Sequence, residues 1–174
     1  MKPKITIIKS DITQVHADAI VNAAGVGFGT MIGSGVTGAI RMAAGPELLK
    51  ECTELRIKKY PNGIPTGEAI FTKAYNLEKT NNVKIIIHTV GPRYYSGDIN
   101  LLKNCYINSL RLAEENDCKT IAFPAISTGA FGCPIEKSAQ IVKDVLENYP
   151  FKPEIIEEII LVLFKQEDFN IYKK

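Results

Sequence analysis

Residues 84–90, KIIIHTV, are the strongest constraint on what this chain folds into. Read as a strand, the run is apolar on both faces apart from His88. Such a strand offers no side to water, so something must cover each face. Residues 19–24 (AIVNAA), 120–126 (TIAFPAI) and 158–164 (EIILVLF) read the same way, and 4–8 and 68–73 as shorter strands. Between them run helical patterns over 36–44, 46–58, 99–115, 135–149 and 166–172. In the second of these, Leu48, Leu49, Cys52 and Leu55 share one face, and Pro46 stands where a first turn tolerates proline. Residues 76–82 read as polar loop. Strands that alternate with helices predict a three-layer α/β/α sandwich. Its sheet is expected to be mixed, mostly parallel, with about six strands, in a single domain spanning 1–174.

Bulk properties exclude several classes of function. A net charge of +2 in 174 residues gives no field for nucleic acid or an anionic membrane, and the lysines are interspersed with acids. No apolar run is long enough to cross a bilayer, and no secretory signal opens the chain. A cytoplasmic monomer is expected. Cys52, Cys105, Cys118 and Cys133 form no CxxC pair, and His16 and His88 no HxxxH pattern, so neither a disulfide framework nor a metal is expected. His88, lying mid-strand, reads as a satisfied core histidine.

Two glycine-rich turns carry the chemistry. Residues 22–46 hold seven of the thirteen glycines, between a strand and a helix. Residues 127–132, STGAFG, again follow a strand and precede a helix. Backbone N–H groups in such turns face anions, and glycine lets the backbone approach closely. Gly33, Gly35 and Gly38 formally spell GxGxxG, but the strand ends roughly nine residues earlier, too far for a dinucleotide fingerprint. Both turns are expected at the carboxyl edge of the sheet, where open α/β folds collect ligands. One phosphorylated nucleotide held between them is the expectation.

The order of the motifs resembles the macrodomains, which bind ADP-ribose. The resemblance runs from about Ile5 to Tyr172. It is carried by DIT at 11–13, DAIVNAA at 18–24, GSGV at 33–36, AAGP at 43–46, TG at 66–67, IHTVGP at 87–92 and AFPAISTGAFG at 122–132. It implies an adenine amine on Asp11, with the Ile12 amide against the ring and Phe164 beside it. It implies Gly33, Ser34, Gly35 and Val36 around the distal ribose and pyrophosphate, with Asn22 also at the ligand. Ser127, Thr128, Gly129, Ala130 and Phe131 would close the other side. No cofactor is implied; the partner is ADP-ribose or an ADP-ribosylated protein.

The departures bear on catalysis. Hydrolytic relatives commonly read Asn-Ala-Ala-Asn, and the second Asn is here Gly25. Where they carry an acid after the glycine-rich Val and a His four residues on, this chain has Thr37 and Arg41. The intervening loop is also about two residues longer than the usual form. With the usual carboxylate missing, the resemblance leaves two readings. One is a hydrolase that removes ADP-ribose esters, either O-acetyl-ADP-ribose or mono-ADP-ribose on acidic side chains, with a water positioned by the substrate. The other is a non-catalytic reader.

Overall fold

The computed structural model describes residues 2–25, 28 and 35–174. Among these, six strands form one sheet: β1 (Lys4–Lys9), β2 (Ala19–Ala24), β3 (Ala69–Lys73), β4 (Ile85–Val90), β5 (Thr120–Phe123) and β6 (Glu158–Leu163). The helices are α1 (Gly35–Ala44), α2 (Pro46–Lys58), α3 (Asn76–Asn81), α4 (Leu101–Glu115), α5 (Ile135–Asn148) and α6 (Gln166–Tyr172). Strand order is β1-β6-β5-β2-β4-β3, parallel throughout except for the antiparallel edge pair β3–β4.

Alternation along the strands divides the core in two. Ala19, Val21, Ile87, Ile121 and Phe123 face α4 and α5, packing on Leu102, Tyr106, Val142 and Val145. Their neighbours Ile20, Ile86, Ala122 and Ile160 face the opposite layer, against Ile40, Ala44, Leu48 and Leu77. The double burial read from KIIIHTV follows, since Ile86 and Ile87 are both fully buried on opposite faces.

Two local expectations need correction. Residues 76–81 form a short helix, not loop. Its composition is polar, but Leu77 is buried as a single anchor, and Asn82 ends it in the left-handed conformation at φ 58°. Strand β5 stops at Phe123, short of Ile126, because Pro124 has no N–H for the ladder. No helix among the described residues is long and apolar enough to cross a membrane.

The topology makes a crevice. Strands β2 and β5 are neighbours, paired only through Ala19–Ile121 and Ile20–Ala122. The chain leaving β2 runs to the α1 layer and the chain leaving β5 to the α5 layer. Connections that part to opposite faces leave a gap outside the carboxyl ends of their strands.

Candidate functional site

A cleft fills that gap. One end, a cavity of 380 Å³, is lined by Ser10, Asp11, Ile12, Phe164, Lys165 and Asp168, among others. The other, of 490 Å³, is lined by Ala23, Gly25, Thr37, Gly91, Ser127 and Phe131, among others. Gly35, Val36, Ala125 and Gly129 line both, so the two are one continuous trough.

Asp11 is set by the turn it begins. Its Oδ1 accepts from the Thr13 N–H at 2.9 Å and from the Thr13 hydroxyl at 2.7 Å, capping a 3-10 turn over Ile12–Gln14. Asn81, at the end of α3, donates to the Thr13 and Val15 carbonyls at 2.8 and 3.2 Å and fixes that turn from behind. Asp11 Oδ2 takes no donor among the described residues, so one carboxylate oxygen is left for an amine. Phe164 closes the same end. It follows β6, where period-2 alternation would bury it, yet it is 75% exposed.

The loop after β5 is built to spend its carbonyls and keep its amides. The Ser127 carbonyl accepts from Cys133 N–H at 2.8 Å, Gly129 from Gly132 at 3.0 Å, and Phe131 from Tyr94 at 2.8 Å. The N–H groups of Ser127, Gly129, Ala130 and Phe131 have no acceptor among the described residues. A run of such amides beside a left-handed residue (Ser127, φ 67°) is backbone suited to cradling an anion. Opposite it stands the first turn of α1, whose N–H groups have no helical acceptor among the described residues and carry the positive end of the helix dipole. Gly35 opens that turn at φ 71°, where glycine is at ease, and a Cβ there would meet nothing within 4 Å.

The structure therefore brings Asp11, Ile12, Gly35, Val36, Ser127, Thr128, Gly129, Ala130, Phe131 and Phe164 together along one trough. Gly33 and Ser34 lie outside the described residues. Asn22 is 1% exposed and is not among the residues lining either cavity; its amide lies between His88 Nδ1 (3.1 Å) and the Thr37 hydroxyl (3.0 Å). Thr37 does line it. His88 is fully buried, bonded through both ring nitrogens, and burial lowers its pKa to about 3. Sequence reading missed Lys165 and Asp168 at the Phe164 end, for which no motif speaks, and Gly91. A glycine straight after a fully buried strand was the available signal. A Cβ at Gly91 would collide with the Ser127 hydroxyl and come within 2.7 Å of Ile126 Cγ2.

A separate groove of 540 Å³ lies between β1, α5 and α6, with Ile5, Ile7 and Phe151 inside and Lys2, Lys143 and Lys173 at its rim. It contains neither glycine loop nor amide run, so chemistry rather than size places the candidate site at the trough.

The Macro domain family profile matches residues 21–142. An O-acetyl-ADP-ribose deacetylase of Escherichia fergusonii is 41% identical, the match covering 100% of this chain and 96% of that protein. A variant of the Oceanobacillus iheyensis macrodomain, solved with ADPR, superposes with a TM-score of 0.85 at 38% identity, covering 96% of this chain and 88% of that one. The Trypanosoma brucei macrodomain in complex with ADP-ribose gives 0.84 at 30% identity, covering 97% and 67%. The chain belongs to the macro domain family.

Proposed function

We propose that residues 1–174 act as one domain that binds ADP-ribose in the trough and hydrolyses its esters. O-acetyl-ADP-ribose is the first substrate, and mono-ADP-ribose on acidic side chains is the second. The observation that carries this is the set of unpartnered N–H groups within Ser127–Phe131, across the trough from the first turn of α1. Two amide clusters across one trough suit a pyrophosphate. Asp11 Oδ2 would accept from the adenine amine, with the Ile12 amide at the ring edge and Phe164 against its face. Gly35 and Val36, with Gly33 and Ser34 before them, would take the distal ribose.

No ionisable side chain lines the Thr37 end among the described residues. On this reading the base is the substrate's own. A water held against the pyrophosphate attacks the acyl carbonyl carbon, and its proton passes to a phosphate oxygen. The bond from that carbon to the ribose oxygen breaks, the ribose oxygen leaves with the electron pair and takes a proton, and the acid departs as carboxylate. Positioning and fixed N–H dipoles supply the rate. The relatives named deacetylase support this reading. It carries with it a cytoplasmic monomer.

The missing acid at Thr37 favours a second reading, a module that binds ADP-ribose or an ADP-ribosylated protein without turnover. Incubation with O-acetyl-ADP-ribose and with a Glu-ADP-ribosylated protein separates the two. Product release above buffer is the expected result. Binding of ADP-ribose without release would leave the reader.

A further inference from the structure

The wall of the trough at α1 continues inward as a buried hydrogen-bonded chain that the roles above do not use. The Thr37 hydroxyl donates to Asn22 Oδ1 at 3.0 Å, with the Ala23 carbonyl 3.3 Å away. Asn22 Nδ2 lies 3.1 Å from His88 Nδ1. His88 Nε2 lies 2.9 Å from the Thr72 hydroxyl, which in turn lies 3.1 Å from the Lys73 carbonyl. Asn22, His88 and Thr72 are all at most 1% exposed.

The chemistry of each group sets the direction of the chain. An amide nitrogen only donates, so His88 Nδ1 accepts and the ring proton sits on Nε2. Nε2–H then donates to Thr72, whose own proton goes to the Lys73 carbonyl. At the other end, Asn22 Oδ1 only accepts, so the Thr37 proton points inward. In this direction each of the four contacts has one donor and one acceptor. The reverse direction requires the Nδ1–H tautomer and a flipped Asn22 amide, and it frees the Thr37 proton from Asn22.

We propose that the Thr72–His88–Asn22 chain fixes Thr37 Oγ1 as a hydrogen-bond acceptor toward the trough. With its proton held inward, Thr37 receives an O–H from what lies there, either a hydroxyl of the distal ribose or the attacking water. Asn22, His88 and Thr72 are positioning residues; none touches the ligand. This rests on the ADP-ribose reading, and it explains how a threonine serves where a carboxylate is usual: it orients an O–H and takes no proton.

The test uses the full chain as wild type, Thr37→Val, Thr37→Ser and Thr72→Val. Three readouts apply: ADP-ribose affinity by calorimetry, turnover of O-acetyl-ADP-ribose, and imidazole nitrogen NMR of His88. Wild type is expected to show a protonated Nε2 and a bare Nδ1 at neutral pH. Thr37→Val is expected to lose about tenfold, the scale of one hydrogen bond. The loss appears in Kd if the partner is a ribose hydroxyl, and in kcat with KM unchanged if it is the water. Thr37→Ser restores it. Thr72→Val, remote from the ligand, lowers the same parameter by a smaller factor and shifts the His88 tautomer. An Nδ1–H tautomer in wild type, or Thr37→Val within about twofold of wild type on both parameters, overturns the proposal. Wild type that binds ADP-ribose but releases no product removes the hydrolase reading alone, and the Kd comparison then decides the role of Thr37. Wild type that binds neither ligand overturns both.

Discussion

Gly91 and Ser127 are in close contact because Gly91 has no side chain. The Ser127 hydroxyl donates to the Pro92 carbonyl at 2.8 Å across ground that a Cβ at Gly91 would occupy. The end of β4 thereby holds the first residue of the Ser127–Phe131 run, which sits at φ 67°. Gly91→Ala must displace Ser127, and backbone there is already in the left-handed region. A stability loss of about 1–3 kcal/mol is expected from overpacking, with ADP-ribose affinity falling by more than tenfold. Urea unfolding and calorimetry check the two together. Unchanged affinity in a folded Gly91→Ala variant would separate Ser127 from the ligand.

Asp11→Asn separates the turn cap that Asp11 makes from the adenine contact proposed for it. Asparagine keeps an oxygen for the Thr13 N–H and hydroxyl, so the turn cap survives. Its nitrogen then faces the adenine amine, donor against donor. Affinity for ADP-ribose is expected to fall by about 1–3 kcal/mol with the melting temperature nearly unchanged. Equal affinity for wild type and variant would remove Asp11 from adenine recognition.

Phe164 is 75% exposed, so the cost of its removal is expected in binding rather than in stability. Phe164→Ala should leave stability within about 0.5 kcal/mol. It should weaken ADP-ribose by about 1–3 kcal/mol, the range for an aromatic ring on a base. A stability loss without an affinity loss would make it a packing residue instead.

His88 links stability to pH. Burial lowers its pKa from 6.5 to about 3. Between those values the unfolded chain binds a proton on this ring that the native state does not. Its contribution to stability is therefore full above about pH 6.5 and is lost as pH falls, by up to about 1.4 kcal/mol per pH unit. Urea midpoints of wild type and His88→Gln, measured from neutral pH down to about pH 4, should converge as pH falls. Parallel profiles would mean that the ring is charged, or exposed, in the native state.

Much of this was legible before the structure. Strands apolar on both faces required two covering layers, and Ile86 and Ile87 show why the pattern was unambiguous. The glycine loops marked the trough because their composition is unsuited to any element interior. What was hidden depended on tertiary placement. Asn22 stands beside residues that line the trough, but alternation along β2 turns it into the core, toward His88. Helix α3 has one buried apolar residue, Leu77, too little for a periodic signal. The exposure of Phe164 depends on where β6 ends relative to Asp11, which no local pattern records.

The central claim is that the amides of Ser127–Phe131 and of the first turn of α1 hold the pyrophosphate of ADP-ribose. Titration of the labelled protein with ADP-ribose, followed by amide NMR, tests it most directly. The predicted result is saturable one-to-one binding with the largest amide shifts at Ser127–Phe131 and at Gly35, Val36 and Thr37. Shifts clustered instead around Ile5, Phe151 and Lys173, or no saturable shift at all, would contradict it.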